Sequence, residues 1–184
     1  MLVAGMIGVI GAIAVPIAGR TMAGFRLSGS ARALTNAMAV AKIRAAASFS
    51  RVRLYADLAA GTHHVEALDR TSDPDQWRTE GGVTSIGTGV TYSFTPVTTA
   101  PPGSQAVIGA TPQCLTDLGV AIPNTWCITF NSRGIPVDAT GAPTAEGVLY
   151  VADGTEVFAV AVASTGMVRL WRTLPTATPR WVAQ

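Results

Sequence analysis

Residues 1–19, MLVAGMIGVIGAIAVPIAG, run without a charged side chain. As a helix this stretch would rise roughly 28 Å, close to the hydrocarbon thickness of a bilayer. Beyond it the apolar residues spread out. Met22, Phe25, Leu27, Leu34, Met38, Ala41 and Ala45 recur at spacings near three and four, with Arg and Lys between them, which is the period of an amphipathic helix. The two patterns join into one long helix over residues 1–49. Its first part, 1–19, is an apolar stem, and its second part can lay a stripe on a folded body. Pro16 lies inside the stem, where it removes a backbone donor and kinks or locally melts the helix. Gly5, Gly8, Gly11 and Gly19 offer small surfaces for close helix approach.

From residue 50 the period changes to two. In SRVRLYADL, Val52, Leu54 and Ala56 alternate with Arg51, Arg53 and Tyr55, which predicts a strand. Ala59-Ala60-Gly61 is a turn, and HHVEAL (63–68) returns as the second strand of a hairpin. Residues 70–82 are polar and turn-rich. Two short strands are expected in 83–94, the second being VTYSF, and the proline-rich 95–113 reads as a long surface loop. Strands follow at 127–130, 148–153, 156–164 and 167–172, separated by turns at 131–134, 154 and 165–166. Turns at such short intervals are the pattern of antiparallel sheet. The fold class is therefore α+β, with a long N-terminal helix over 1–49 packed on an antiparallel sheet body over 50–184. No internal repeat, GxGxxG or phosphate-loop pattern is present.

Charge sharpens this division. Only 13% of the 184 residues are charged and the mean hydropathy is +0.36. Residues 1–56 hold seven basic side chains and no acidic one, while 57–184 hold six basic and eleven acidic. The apolar content excludes a disordered chain, and one long apolar run excludes a multi-span membrane protein. What remains is a membrane-tethered or filament-forming domain. Arg20, Arg26 and Arg32 follow the apolar run and by themselves favour a cytoplasmic body. The cysteines favour the opposite topology.

MIGVIGAIAVP (6–16) resembles the apolar stem of type IV pilins and type II secretion pseudopilins, in which a similar run ends in Ala-Ile-x-Pro. CITFNSRGIPVD (127–138) and VAVASTGMVRLWR (160–172) are similar to the C-terminal half of the GspH/FimT pseudopilin group, and ALTNAMAVAKIRAAASFSRVRL (33–54) looks like its passage from helix to first strand. The family's leader, its cleavage glycine and the glutamate of its mature start have no counterpart in the chain as given. The resemblance implies a non-enzymatic structural subunit, minor, priming or major, of a type IV pilus or type II secretion filament; a signal-anchored periplasmic domain is an alternative reading of the same apolar run. Its partners would be further copies or other pilin subunits in a helical filament. It would sit in the inner membrane as a single-pass protein before assembly, and in a periplasmic or extracellular filament afterwards. The residues expected in the membrane or filament core are Leu2, Val3, Met6, Ile7, Val9, Ile10, Ile13, Val15, Pro16 and Ile17. Some FimT-like minor pilins take up DNA through a C-terminal arginine motif. Met167 stands at that motif's first arginine and Arg169 at its second, so Arg169, Arg172 and Arg180 are the candidate DNA contacts.

Cys114 and Cys127 read either as two buried thiols or as one disulfide. An apolar-anchored chain facing an oxidising exterior favours the disulfide, which would contribute about 3 kcal/mol by chain entropy and pin a loop to the sheet edge. Without a C-x-x-C its role is structural. His63 and His64 point to opposite faces of a strand, so they are poor joint ligands and read as exposed hairpin residues. Asp73 and Asp75 flank Pro74 in a solvated turn, with too few oxygens for calcium. Ser132 lacks the nucleophile-elbow glycines. The residues thus point to no enzyme, no metal and no cofactor.

Overall fold

The computed structural model describes residues 22–109, 112–144 and 147–184 in full, and for 2–21 the helical backbone alone. Helix α1 spans Leu2–Ser48. Nine strands follow: β1 Val52–Asp57, β2 Thr62–Asp69, β3 Gln76–Ser85, β4 Thr125–Phe130, β5 Pro136–Val137, β6 Gly147–Ala152, β7 Val157–Val162, β8 Val168–Thr173 and β9 Val182–Ala183. They form two antiparallel sheets in the orders β3-β2-β1-β4-β5 and β6-β7-β8-β9. The α+β class is what the structure shows.

Helix α1 packs on both sheets. Leu27, Ala31, Leu34, Met38, Ala41 and Ala45 are fully buried, at spacings alternating four and three, and form the core with Leu54, Trp126, Phe130, Val151 and Val160. Each fully buried large side chain contributes about 1.5–3 kcal/mol. The expected stripe needs one correction. Met22 and Phe25 are 61% and 70% exposed, because at about 100° per residue they lie roughly 140° and 160° around the axis from Leu27, on the far side of the helix. Phe49 terminates α1 with a φ of 49°, the left-handed position at which helices commonly end.

Lys42 ties the helix to the second sheet. Its Nζ donates to the Gly166 carbonyl at 3.0 Å, and its methylenes pass so close to Gly134 that a Cβ there would stand 2.8 Å from one of them. The sheets themselves meet at Gly147, where a Cβ would lie 2.3 Å from Ile128 Cδ1.

Strands β6 and β7 are buried at every position, which explains why their sequences, GVLYVA and VFAVAV, do not alternate. One face meets α1. The other forms a second cluster around Val97, Val148 and Tyr150, covered by Phe94, Ile108, Trp171 and Trp181. The surface loop over 95–109 thus acts as a lid held by side chains: Gln105 Nε2 donates to Tyr150 Oη at 3.0 Å, and Trp181 Nε1 donates to the Thr99 carbonyl at 2.9 Å.

Two strand expectations are corrected. The polar, turn-rich segment ends earlier than expected, and β3 begins at Gln76. VTYSF is not a strand. Only Thr91 bridges to Ala152, because the chain turns aside there to send Phe94 into the second cluster.

Candidate functional site

The face of the first sheet turned away from α1 carries an unusual set of side chains. On β1 and β2, Arg53 lies opposite Glu66 and Tyr55 opposite His64. Arg53 Nε donates to Glu66 Oε2 at 2.5 Å, with both side chains about nine-tenths buried. His64 Nε2 contacts Glu66 Oε1 at 3.0 Å, and its ring stacks on Tyr55 with centroids 4.8 Å apart. The Arg53 guanidinium sits 4.1 Å from the Trp77 ring centroid, a cation–π contact. Burial lowers the Arg53 pKa, opposed by the charge and hydrogen bond of Glu66. The Tyr55 phenol is pushed up by burial and then by the negative charges of Asp57 and Glu66.

A strap crosses this face. Cys114 and Cys127 are disulfide-bonded, and Cys127 lies directly opposite Tyr55 on the neighbouring strand. The strap is a small hairpin in which Leu115 bridges Ala121. Arg53 Nη1 donates to the Leu115 carbonyl at 2.7 Å, and Asp117 Oδ1 accepts the Trp77 backbone N–H at 2.9 Å. The disulfide therefore does not hold a loop at the sheet edge. It anchors a loop that runs from β4 over β1 to β3, because the Cys127 side chain points outward from an inner strand.

The strap divides the face into two clefts that share Arg53, Trp77, Thr116 and Asp117 as a common wall. One, of about 510 Å³, opens towards Arg51, Leu68 and Val137. The other, of about 520 Å³, is shallower and opens towards Tyr55, Asp57 and His64. Sequence reading missed this site. Its only signal was that Arg53 and Glu66 sit at facing positions of the first hairpin.

The histidines do point to opposite faces, but neither is exposed. His63 is 4% exposed and contacts Tyr92 Oη through Nδ1 at 3.3 Å. His64 lies on the outer face of the first sheet with its side chain largely buried. Asp73, Asp75 and Ser132 are exposed turn residues. Among the described residues, no group of three or more His, Cys, Asp or Glu could hold a metal ion.

The C-terminal arginines are not gathered on one surface. Arg169 and Arg172 lie three apart on β8, so their side chains leave opposite faces of the sheet. Arg172 is ion-paired with Glu156, and Arg169 Nε contacts Met167 Sδ at 3.4 Å. Arg172 and Arg180 border a common groove with Thr173, whose Oγ1 is buried without a partner. Trp181 packs beside Tyr150.

The stem residues Leu2, Val3, Met6, Ile7, Val9, Ile10, Ile13, Val15, Pro16 and Ile17 lie outside the described side chains. Among the described residues, no helix is long and apolar enough to cross a membrane. No protein-family model matches the chain, and neither the curated proteins nor the solved structures contain a match to it.

Proposed function

We propose that this chain is a non-enzymatic, pilin-like structural subunit of the GspH/FimT kind, assembling into a type IV pilus or type II secretion filament through α1. The observation that carries the reading is the two-faced character of the docked half of the helix. Opposite the buried stripe, Met22, Phe25, Val40 and Ile43 are 52–70% exposed and lie about 140–220° around the axis from Leu27, in two apolar patches separated by the exposed Arg32 and Asn36. The outer face of a helix in a lone domain is normally polar. Apolar side chains at these positions suit a helix covered by neighbouring helices. In the sequence, the uncharged run 1–19 precedes these positions. In this reading the helix passes from the inner membrane into a filament of like helices, and the sheets form the filament's exterior.

Uptake of DNA through Arg169, Arg172 and Arg180 is the weaker reading, since two of the three leave opposite faces of β8 and Arg172 already has an acidic partner.

The test is electron microscopy of filaments sheared from cells that make the protein, labelled with antibody to the sheet body, with intact mass measured without reduction. Labelled filaments containing the oxidised chain are expected. Finding the chain only as an unassembled membrane or soluble species would overturn the reading.

A further inference from the structure

The deeper of the two strap clefts has the make-up of a binding site that filament assembly does not require. Its floor is apolar, from Leu68, Leu115 and Val137, and the Trp77 indole forms one wall. Its lining also mixes donors and acceptors, Arg51 and Gln113 with Asp75 and Asp138, the last already accepting from Thr140 and Ala142 through Oδ1. The Arg51 carbonyl accepts from the Leu68 backbone N–H at 2.9 Å, but among the described residues its guanidinium has no hydrogen-bond or ion-pair partner, although the residue is only half-exposed. The volume, about 510 Å³, falls within the range of small-ligand pockets, which combine an apolar lining with a few orienting polar groups.

We infer that this cleft binds a short saccharide. A sugar ring presents a C–H face that packs on an indole, and its rim of hydroxyls both donates and accepts. That dual demand is met by a lining that carries carboxylates, an amide and a guanidinium together. An anion would meet Asp75, Asp117 and Asp138, and a cation would meet Arg51 and Arg53. A purely apolar ligand would leave those polar groups without partners.

The walls are fixed before any ligand arrives. Trp77 is held by Arg53 on its ring and by Asp117 on its backbone N–H, and the strap is held by the disulfide. A rigid site loses less entropy on binding. The inference stands whether or not the chain assembles.

The test uses the full-length, detergent-solubilised protein on a glycan array, followed by titration of the retained glycan with tryptophan fluorescence as the readout. Arg51→Met and Gln113→Ala each remove one polar lining group without touching the core. We expect at least one glycan to be retained, with tenfold or weaker binding in each variant and unchanged thermal unfolding. A variant that unfolds early is replaced by Arg51→Lys, which keeps the charge and loses the planar donor pair. If no glycan binds the wild-type chain above background, or if glycans bind Arg51→Met, Gln113→Ala and wild type alike, the inference is wrong.

Discussion

His63 shows how much one residue's environment decides. Its ring is buried beside Tyr92, and burial, reinforced by the neighbouring His64, lowers its pKa below the usual 6.5. The Tyr92 phenol is pushed up strongly by burial and then by the charge of Asp57, so it stays protonated and can donate to a neutral imidazole Nδ1. Protonated His63 has two donors and no acceptor, so on charging the Tyr92 hydroxyl can only accept from Nδ1, and the buried charge lacks an acidic partner on that atom. In the unfolded chain His63 takes up a proton as pH falls through 6.5, whereas in the fold it does so only at lower pH. The unfolded state then binds more protons, and stability falls with pH. The loss begins near pH 6.5 and continues until His63 titrates in the fold, with a slope of at most about 1.4 kcal/mol per pH unit. Denaturant melts at several pH values between 7.5 and 5 should show this slope, and His63→Gln should remove it. An unchanged slope in the variant would assign the effect to another group.

At the level of elements, the strap is the feature that the linear pattern could not supply. Loop residues 112–122 have no periodicity, and their position follows from three contacts distant in sequence: the Cys114–Cys127 bond, Leu115 with Arg53, and Asp117 with Trp77. Helix α1 and strands β1, β2, β4 and β6–β8 were legible because a single face or a continuous apolar run marks each one. Strand β3 was hidden because it lies at a sheet edge with most positions exposed, so burial leaves little imprint on QWRTEGGVTS. VTYSF alternates like a strand, yet its alternation serves Tyr92 on one cluster and Phe94 on the other. The candidate cleft was illegible for the same reason as the strap, since its lining comes from β1, β2, β3, the strap, β4, β5 and the chain that leads into β6. If the disulfide holds the strap, replacing both cysteines by serine should cost about 3 kcal/mol. It should also expose the Trp77 amide, which now donates to Asp117, to hydrogen exchange. Exchange at Trp77 that matches wild type would mean that Arg53 and Asp117 suffice to hold the strap.

For the whole molecule, the proposed assembly assigns separable roles to the two faces of α1, and this can be tested on one helix. The inner face, from Leu27 to Ala45, joins both sheets into one core, so Leu34→Ala should cost about 2–5 kcal/mol through a cavity at a fully buried position. The outer face makes no such contribution within the monomer, because Val40 and Ile43 are 52% and 67% exposed. Exchanging both for serine should change monomer stability by less than about 1 kcal/mol, as exposed substitutions away from special features do. In an assembled helical bundle the same pair would be covered, and each serine would forfeit burial of an aliphatic side chain worth about 1.5–3 kcal/mol. The double variant should therefore unfold like wild type yet yield few or no filaments, while a mild inner-face change such as Leu34→Met should leave filament yield unchanged. Normal filaments from Val40→Ser/Ile43→Ser would place the helix contacts elsewhere on the surface. Early unfolding of that variant would mean that the outer face packs within the monomer, and the two-faced reading of α1 would fail.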